Sequence, residues 1–284
     1  MHFTFFSWNI KHKNLDKYSH LRAEYLERLY SVLGTSTISK VYAIISLQEV
    51  HRTAYEFLVE TELFAWHKFS LDEPGASGDW GCAVLGTSKF SITNHYLLDF
   101  GRERNTQAKF GHQTMIVELM SEEDLALTAC SFHIPNGSSW GHGKGEYKRK
   151  FGSAIARWLG IRTTPTIFGV DANSPEFDHI DLSKVGLFRR SDSFELFGSR
   201  PIHSFRDVYR EYRKKYPDEP QAYSYYGNRK FPIRADHIWV NEPFEIDDVL
   251  YGEIVSPQGV NIYAESGEIL SDHAWVASEL NLLP

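Results

Sequence analysis

Residues 41–47 read Val-Tyr-Ala-Ile-Ile-Ser-Leu, an apolar stretch without a charge. The run is short for a helix, and it does not alternate as a strand with one wet face would. It reads as a strand buried on both faces. Such a strand has to be covered on each side, which suits a sheet held between a second sheet and helices. The rest of the chain fits that plan. Residues 3–8 read as an earlier strand, and residues 16–33 carry Leu21, Tyr25, Leu29, Val32 and Leu33 at helical spacing. Gly34 stands where a helix stop is expected. Residues 51–65 read as a second helix, with Phe57, Leu58, Thr61 and Phe64 on one side. Short strands are expected at 82–85, 114–119, 125–131, 166–170, 235–240 and 274–279. Residues 147–159 form a helical stripe through Phe151, Ile155, Trp158 and Leu159. The pattern is α+β, two packed sheets with helices outside. No linker, repeat or low-complexity tract divides residues 1–284, which are expected to form one domain.

Composition narrows the class. The chain has 284 residues, 42% hydrophobic and 24% charged, enough to bury a large core without staples. The net charge of −7 argues against a uniformly basic nucleic-acid coat but not against a local basic site. Cys82 and Cys130 have no Cys or His neighbour at zinc spacing and read as buried free thiols. No apolar run approaches the roughly 18 residues of a membrane span. The opening residues lack the pattern of a secretory signal. The expectation is a cytoplasmic protein without a membrane partner.

The polar residues that carry chemistry stand where apolar runs end. Asn9 closes the first strand and Gln48-Glu49 the second. His133 follows the 125–131 run, and Asp171 and Asn173 follow 166–170. Asp236-His237 opens one late strand and Asp272-His273 precedes the last. These residue types suit a magnesium-assisted attack on phosphate. Magnesium takes oxygen ligands, usually one or two carboxylates plus water. Glu49 and Asp272 are carboxylates, and Asn9 offers a carbonyl oxygen. Asp171 can orient a water or accept its proton. Asn173, His133 and His273 can donate to the charge that builds on phosphate oxygens. Asp236 can fix the tautomer of His273. Each fragment alone is weak: Asp-x-Asn is usually a turn and Ser-Asp-His a loop cap. Their order along the chain carries the signal.

In that order, Ser7-Trp8-Asn9-Ile10, Leu47-Gln48-Glu49-Val50, Phe132-His133-Ile134-Pro135, Gly169-Val170-Asp171-Ala172-Asn173, Arg234-Ala235-Asp236-His237-Ile238 and Leu270-Ser271-Asp272-His273-Ala274 resemble the endonuclease/exonuclease/phosphatase superfamily. The resemblance spans positions 7 to 274. It implies a four-layer αββα sandwich of two mixed β-sheets flanked by helices, with the active site at one edge of the sheets. It also implies Glu49 as the main ligand of Mg2+, with Mn2+ able to substitute, and Asn9 and Asp272 in support. Asp171 and Asn173 would place water and the scissile phosphate. Asp236 and His273 would form the Asp-His pair, and His133 would touch phosphate or help protonate the leaving oxygen.

Departures narrow the substrate. Lys11 stands where the abasic-site repair branch carries an acid, and His133 where that branch carries Tyr; both resemble the nonspecific deoxyribonuclease branch and weaken the case for a second metal. Ala235-Asp236-His237 disfavours the inositol-phosphatase branch. No apolar hairpin suggests sphingomyelinase chemistry. Basic charge gathers in two segments, each +5: residues 143–162, with Lys144, Lys148, Arg149 and Lys150, and residues 200–234, with Arg229, Lys230 and Arg234. Residues 241–272 carry −8. Lys11, Lys144, Arg149, Tyr225 and Arg229 are therefore expected to bind a polyanion, with aromatic residues available for stacking. The leading expectation is a Mg2+-dependent nuclease acting on DNA ahead of RNA. Competing readings are a phosphatase or phosphodiesterase acting on a small nucleotide, metabolite or phospholipid headgroup, and a catalytically silent binding protein. Residues 141–145 only faintly resemble a phosphate loop, and no His-Glu-x-x-His pair supports zinc hydrolysis.

Overall fold

The computed structural model describes residues 1–11, 22–37, 42–74, 76–100, 110–135, 144–173, 202–225, 233–252 and 271–283. Among them run β1 (His2–Asn9), α1 (Arg22–Thr37), β2 (Ala43–His51), α2 (Arg52–Glu60), β3 (Trp66–Phe69), β4 (Trp80–Gly86) and β5 (Phe90–Tyr96). Then follow β6 (Thr114–Ser121), β7 (Ala126–His133), α3 (Lys144–Gly160), β8 (Thr166–Asp171), β9 (Arg206–Asp207), α4 (Val208–Lys215), β10 (Asp236–Val240), β11 (Phe244–Tyr251) and β12 (Val276–Leu282). They form two six-stranded mixed sheets, ordered β11-β12-β1-β2-β4-β3 and β5-β6-β7-β8-β10-β9. Each sheet has one parallel pair at its centre, β1 with β2 and β7 with β8. In each, a helix lies between the paired strands in sequence, as parallel strands require.

The expectation for the 41–47 run holds over Ala43–Leu47, and Val41 lies outside the described residues. Ile44 packs into the core between the sheets, while Ala43, Ile45 and Leu47 pack beneath α1 and α2 with Leu29, Leu33 and Leu58. The second sheet repeats the arrangement. Ala129 and Ile167 face the inter-sheet core, and Cys130, Phe132, Phe168 and Val170 meet Phe151, Ile155 and Leu159 of α3. The two layers of side chains on opposite faces explain why these central strands read as continuous apolar runs. Both cysteines are free and buried.

Boundaries shift for local reasons. α1 continues through Gly34 to Thr37 because Gly34 does not take the left-handed conformation that ends a helix; Gly78 is the one described glycine at positive φ. α2 stops at Glu60 short of the expected 65, and Trp66–Phe69, where no element was expected, forms a strand. β3 and β5 end their sheets as edges. The solvent-facing residues of β5 dilute its apolar pattern, which hid it in the sequence. α4, also unanticipated, is set by its cap: Asp207 Oδ1 accepts from Tyr209 N at 3.0 Å and Arg210 N at 3.3 Å.

Gly169 sits in β8 against Ser7 of β1 and Ser46 of β2. A Cβ there would meet Ser7 Oγ at 2.3 Å and Ser46 Oγ at 2.6 Å, so only glycine fits without moving β1 or β2. Asp207 also anchors the segment that leads into β10. It is buried with Arg234, whose guanidinium donates to both its oxygens, and His237 Nδ1 lies 3.3 Å away. Burial would raise the Asp207 carboxyl, but Arg234 and His237 outweigh it and hold it well below the usual carboxylate range. Its stabilisation is therefore present above the unfolded-state value near 3.9 and is lost as pH falls below it. Asp207→Asn should cost about 3–5 kcal/mol at pH 7, because Arg234 keeps its buried charge without a counter-ion. Urea melts of both proteins from pH 7 to pH 3 should show the wild type's advantage constant down to about pH 4, then beginning to fall while most of it persists at pH 3.

Candidate active site at the sheet edge

The topology gathers the polar residues. β1 and β2 run parallel, as do β7 and β8, so each pair delivers its C-terminal residues to one edge. Asn9 lies opposite Gln48, and His133 opposite Asp171. β10 runs antiparallel to β8 and therefore begins there, with Asp236 opposite Asp171. β12 runs antiparallel to β1, so the residues just before it, Asp272 and His273, reach the same edge.

Asp171 is the hub. Its Oδ2 accepts from Asn9 Nδ2 at 2.8 Å, a bond that crosses between the sheets, and from Asn173 Nδ2 at 3.2 Å. Its Oδ1 accepts from the backbone N–H of Asn173 at 2.8 Å. His133 Nε2 stands 3.5 Å and His273 Nε2 3.9 Å from the same Oδ2. Asn173 Nδ2 also donates to Ile134 O at 2.9 Å and lies 3.2 Å from His133 Nε2. On the far side of His273, Nδ1 meets Asp236 Oδ2 at 2.8 Å. The Tyr225 ring stacks on the imidazole, with centroids 4.6 Å apart. Ser224 supports this pair from below: its Oγ accepts from both Ala235 N and Asp236 N at 2.9 Å, and its carbonyl accepts from Ala274 N at 2.7 Å.

Glu49 reaches the site through a backbone irregularity. The pairing of β2 with β4 shifts register between Leu47 and Val50, and Glu49 takes a left-handed φ of 51°. Its Oε1 lies 3.4 Å from His133 Nε2. Beside it, Gln48 is buried between the sheets and donates through Nε2 to Ser7, Ser46 and Ser131 Oγ at 2.9–3.2 Å. Lys11, at φ 53°, and Asn173, at φ 48°, share the left-handed conformation. Such backbone costs of order 1–3 kcal/mol per residue outside glycine and asparagine, and it gathers here at one edge.

Electrostatics set the protonation states. Burial would raise Asp171, but His273 and His133 outweigh it and hold the carboxyl well below its ordinary range. Burial would lower His273, but Asp236 and Asp171 push it up to about 10. Burial also works against protonation of His133, yet Asp171 and Glu49 raise it. Asp236 is raised by its burial, which His273 only partly offsets. The resting edge thus places an ionised carboxylate against a protonated imidazole.

The donor set fits a hard divalent ion. Glu49 is a partly exposed carboxylate aimed into the edge, and Asp272 is a second one nearby. Asn9 is more committed than its sequence position suggests: Nδ2 is held by Asp171, and Oδ1 accepts from Lys11 N at 2.9 Å. Asp171, Asp236 and His273 also place ligand atoms within 4.8 Å of one another. That trio is buried and already bonded internally, so it reads as an Asp-His pair with a second acid.

The expected substrate-binding residues separate. Lys11 and Tyr225 stand at the site, Lys11 Nζ on Asp272 Oδ2 at 2.6 Å. Lys144 opens α3 and Arg149 is exposed on it. Arg229, like Lys230, Trp140 and Tyr226, lies outside the described residues. The basic segment 200–234 differs from expectation. Its six described cations all have internal partners: Arg206 on Phe244 O, Arg210 and Arg234 on Asp207, Arg213 on Pro217 O, Lys214 on Glu211 and Lys215 on Ile246 O. Arg234 is fully buried, while Lys214 is 71% exposed in a surface pair with Glu211, so only part of this charge is withdrawn into the fold. Two residues reach the site in ways the sequence did not indicate, Lys148 having been read only as one of the basic residues of 143–162. Lys148 is buried and donates to Asn173 O at 2.7 Å. Trp80, half-buried at the start of β4, meets the His133 ring edge-on at 5.0 Å. Its place directly before Gly81-Cys82-Ala83-Val84-Leu85 was the available signal.

The sequence matches no protein-family model and no curated protein. Solved structures do match. An endonuclease/exonuclease/phosphatase from Bacteroides vulgatus superposes with a TM-score of 0.68 at 13% identity, covering 100% of both chains. D. rerio TDP2, solved with a single-strand DNA product, gives 0.64 at 15%, covering 99% of each. ANGEL2, described as a 2′,3′-cyclic phosphatase, gives 0.63 at 17%, covering 99% of this chain and 95% of that one. The chain therefore has the endonuclease/exonuclease/phosphatase fold, as its motifs suggested. The charge arrangement is testable in EDTA-treated protein. His273 should keep its ring proton at pH 8, and Asp236→Asn, by removing the nearest anion, should release it at lower pH; ring 15N shifts read both.

Proposed function

We propose that the chain is a metal-dependent phosphoesterase, and within that class a Mg2+-dependent nuclease that hydrolyses phosphodiester bonds of DNA ahead of RNA. The carrying observation is one edge where Asp171 Oδ2 lies 3.5 Å from His133 Nε2 and 3.9 Å from His273 Nε2, with Glu49 Oε1 3.4 Å from the same His133 nitrogen and Asp272 directly before His273. Mg2+, or Mn2+ in its place, would be held chiefly by Glu49, with Asp272 and Asn9 in support, and would polarise the phosphate and lower the charge barrier to attack.

The chain's own residues divide the remaining work. Asp171 is acceptor-only when ionised, so it can hold an attacking water by its hydrogens and receive a proton. Asn173 shares that carboxylate, and one of its two amide hydrogens would move from Ile134 O to the phosphate. His273, kept cationic and oriented by Asp236, places positive charge where the five-coordinate phosphorus gathers negative charge. His133, braced by Trp80 and close to Glu49, stands within the same cluster to meet a phosphate oxygen or protonate the leaving one. Water oxygen bonds to phosphorus as the bond to the leaving oxygen breaks, and one proton passes from the water to the leaving group by way of these residues.

A polymer substrate is supported by Lys11 and Tyr225 at the centre and by exposed Arg149 on α3. A structural neighbour bound to a DNA product points the same way. A second reading, hydrolysis of a small phosphoester, is favoured by the internal use of the 206–234 cations and by the neighbour described as a cyclic phosphatase. Cytoplasmic residence and a single domain over 1–284 complete the proposal.

One assay separates the readings: cleavage of supercoiled plasmid beside single-stranded DNA, RNA and a panel of small phosphoesters, with and without Mg2+. Polymer cleavage should need the metal and fall by about 10³-fold or more in Glu49→Ala and about 10²-fold or more in His273→Ala, with both variants folded. Turnover confined to small phosphoesters would replace the nuclease reading, and near-normal turnover in both variants would overturn the site assignment.

A further inference from the structure

The buried Asp207–Arg234 pair is joined to the site through a tyrosine hydroxyl. The Arg234 guanidinium donates to both oxygens of Asp207 and lies 4.9 Å from the centre of the Tyr209 ring. Its Nη1 also donates to the Tyr251 hydroxyl oxygen at 3.1 Å. Tyr251 in turn donates to Asp236 O at 2.9 Å, and its ring meets that of Tyr209 edge-on at 5.4 Å. Tyr251 ends β11, in the first sheet, and Asp236 opens β10, in the second, so the bond between them crosses from sheet to sheet.

Asp236 needs such a partner. On one side β10 runs beside β8, with Asp236 opposite Asp171. On the other side β9 pairs with Trp239 and Val240, further along the strand. Side chains therefore meet the main chain of Asp236, as buried backbone requires. Ser224 Oγ accepts from its N–H at 2.9 Å, and the Tyr251 hydroxyl donates to its carbonyl. That hydroxyl is acceptor and donor at once, and the guanidinium charge behind it polarises the O–H toward Asp236. A residue clamped at both main-chain groups holds its carboxylate in place, and here Oδ2 meets His273 Nδ1 at 2.8 Å.

We propose that Tyr251 is a positioning residue of the phosphoesterase centre: its hydroxyl carries the hold of the buried Asp207–Arg234 pair to the main chain of Asp236, and so fixes the carboxylate that orients His273. The inference rests on the phosphoesterase reading and assigns no contact between Tyr251 and substrate. It gives the fully buried Arg234 a role at the site besides its role in stability.

The test is Tyr251→Phe, which removes the hydroxyl and keeps the ring against Tyr209; a thermal melt checks that it folds. On the substrate that wild type cleaves with Mg2+, kcat should fall by about 10-fold, the scale of one lost hydrogen bond, with KM unchanged. In an Asp236→Asn background the same substitution should lower kcat by less than about 2-fold, because the group it positions is gone. In EDTA-treated protein, the downfield proton resonance of His273 Nδ1, assigned by its loss in His273→Ala, should move upfield and broaden in Tyr251→Phe. A merely structural role would lower the melting temperature, leave that resonance in place and cost as much in either background. Unchanged kcat, an unchanged resonance, or equal losses in the two backgrounds would each overturn the inference while leaving the phosphoesterase reading intact. No turnover of any phosphoester by wild type would overturn both.

Discussion

The bond from Asn9 to Asp171 joins the ends of two sheets at the place where chemistry is proposed. Each sheet contributes one partner, so the site exists only when the sheets are correctly packed. The distance between them is set beneath that bond. Gly169 lets β8 lie against Ser7 and Ser46, and Gln48 ties three serines from both sheets together. Ser131 Oγ, in the second sheet, returns a bond to Leu47 O in the first. A buried polar layer of this kind rewards one register and penalises others, because every shifted alternative leaves buried donors unpaired.

From that layer upward, the fold spends backbone strain to aim side chains. Glu49 and Lys11 are turned by left-handed residues, and the break in β2 pairing comes next to Gln48, which is pinned in place. The packed core supplies the stability that such strain requires. The same logic governs charge. Asp171 and Asp236 are buried carboxylates, each close to His273, and the imidazole shared between them offsets a desolvation that neither acid could bear alone. Asp207 solves the corresponding problem away from the site with Arg234 and His237, and in doing so holds the entry to β10.

Two basic segments looked alike in sequence but differ in the fold. Arg206, Arg213, Lys215 and Arg234 engage carbonyls and carboxylates of the fold, while Arg149 on α3 is exposed. Charge counts along a chain do not record partners, and partners decide whether a cation is available to a ligand. Lys11 is the clearest instance. Read linearly, it is one base of Lys11-His12-Lys13, two residues after Asn9; in space it bonds to both Asn9 and Asp272.

Strand ends carrying Asn9, Glu49, His133, Asp171, Asp236 and His273 were legible because a doubly buried strand must be apolar until it leaves the core, and the first polar residue marks its exit. The helices under these strands were legible from period, and the fold from the order of the motifs. The edge strands β3, β5 and β11 were not, because a strand with solvent on one side dilutes its own pattern. Nor were the roles of Trp80, Lys148 and Gln48, since each acts on a residue distant in sequence. The sequence by itself determined which polar residues leave the core at strand ends, because hydrophobic periodicity is local. Only the tertiary structure decided which acids are ionised, which cations are spent and which ligands remain open, because those depend on charges a few ångströms apart on strands far apart in the chain.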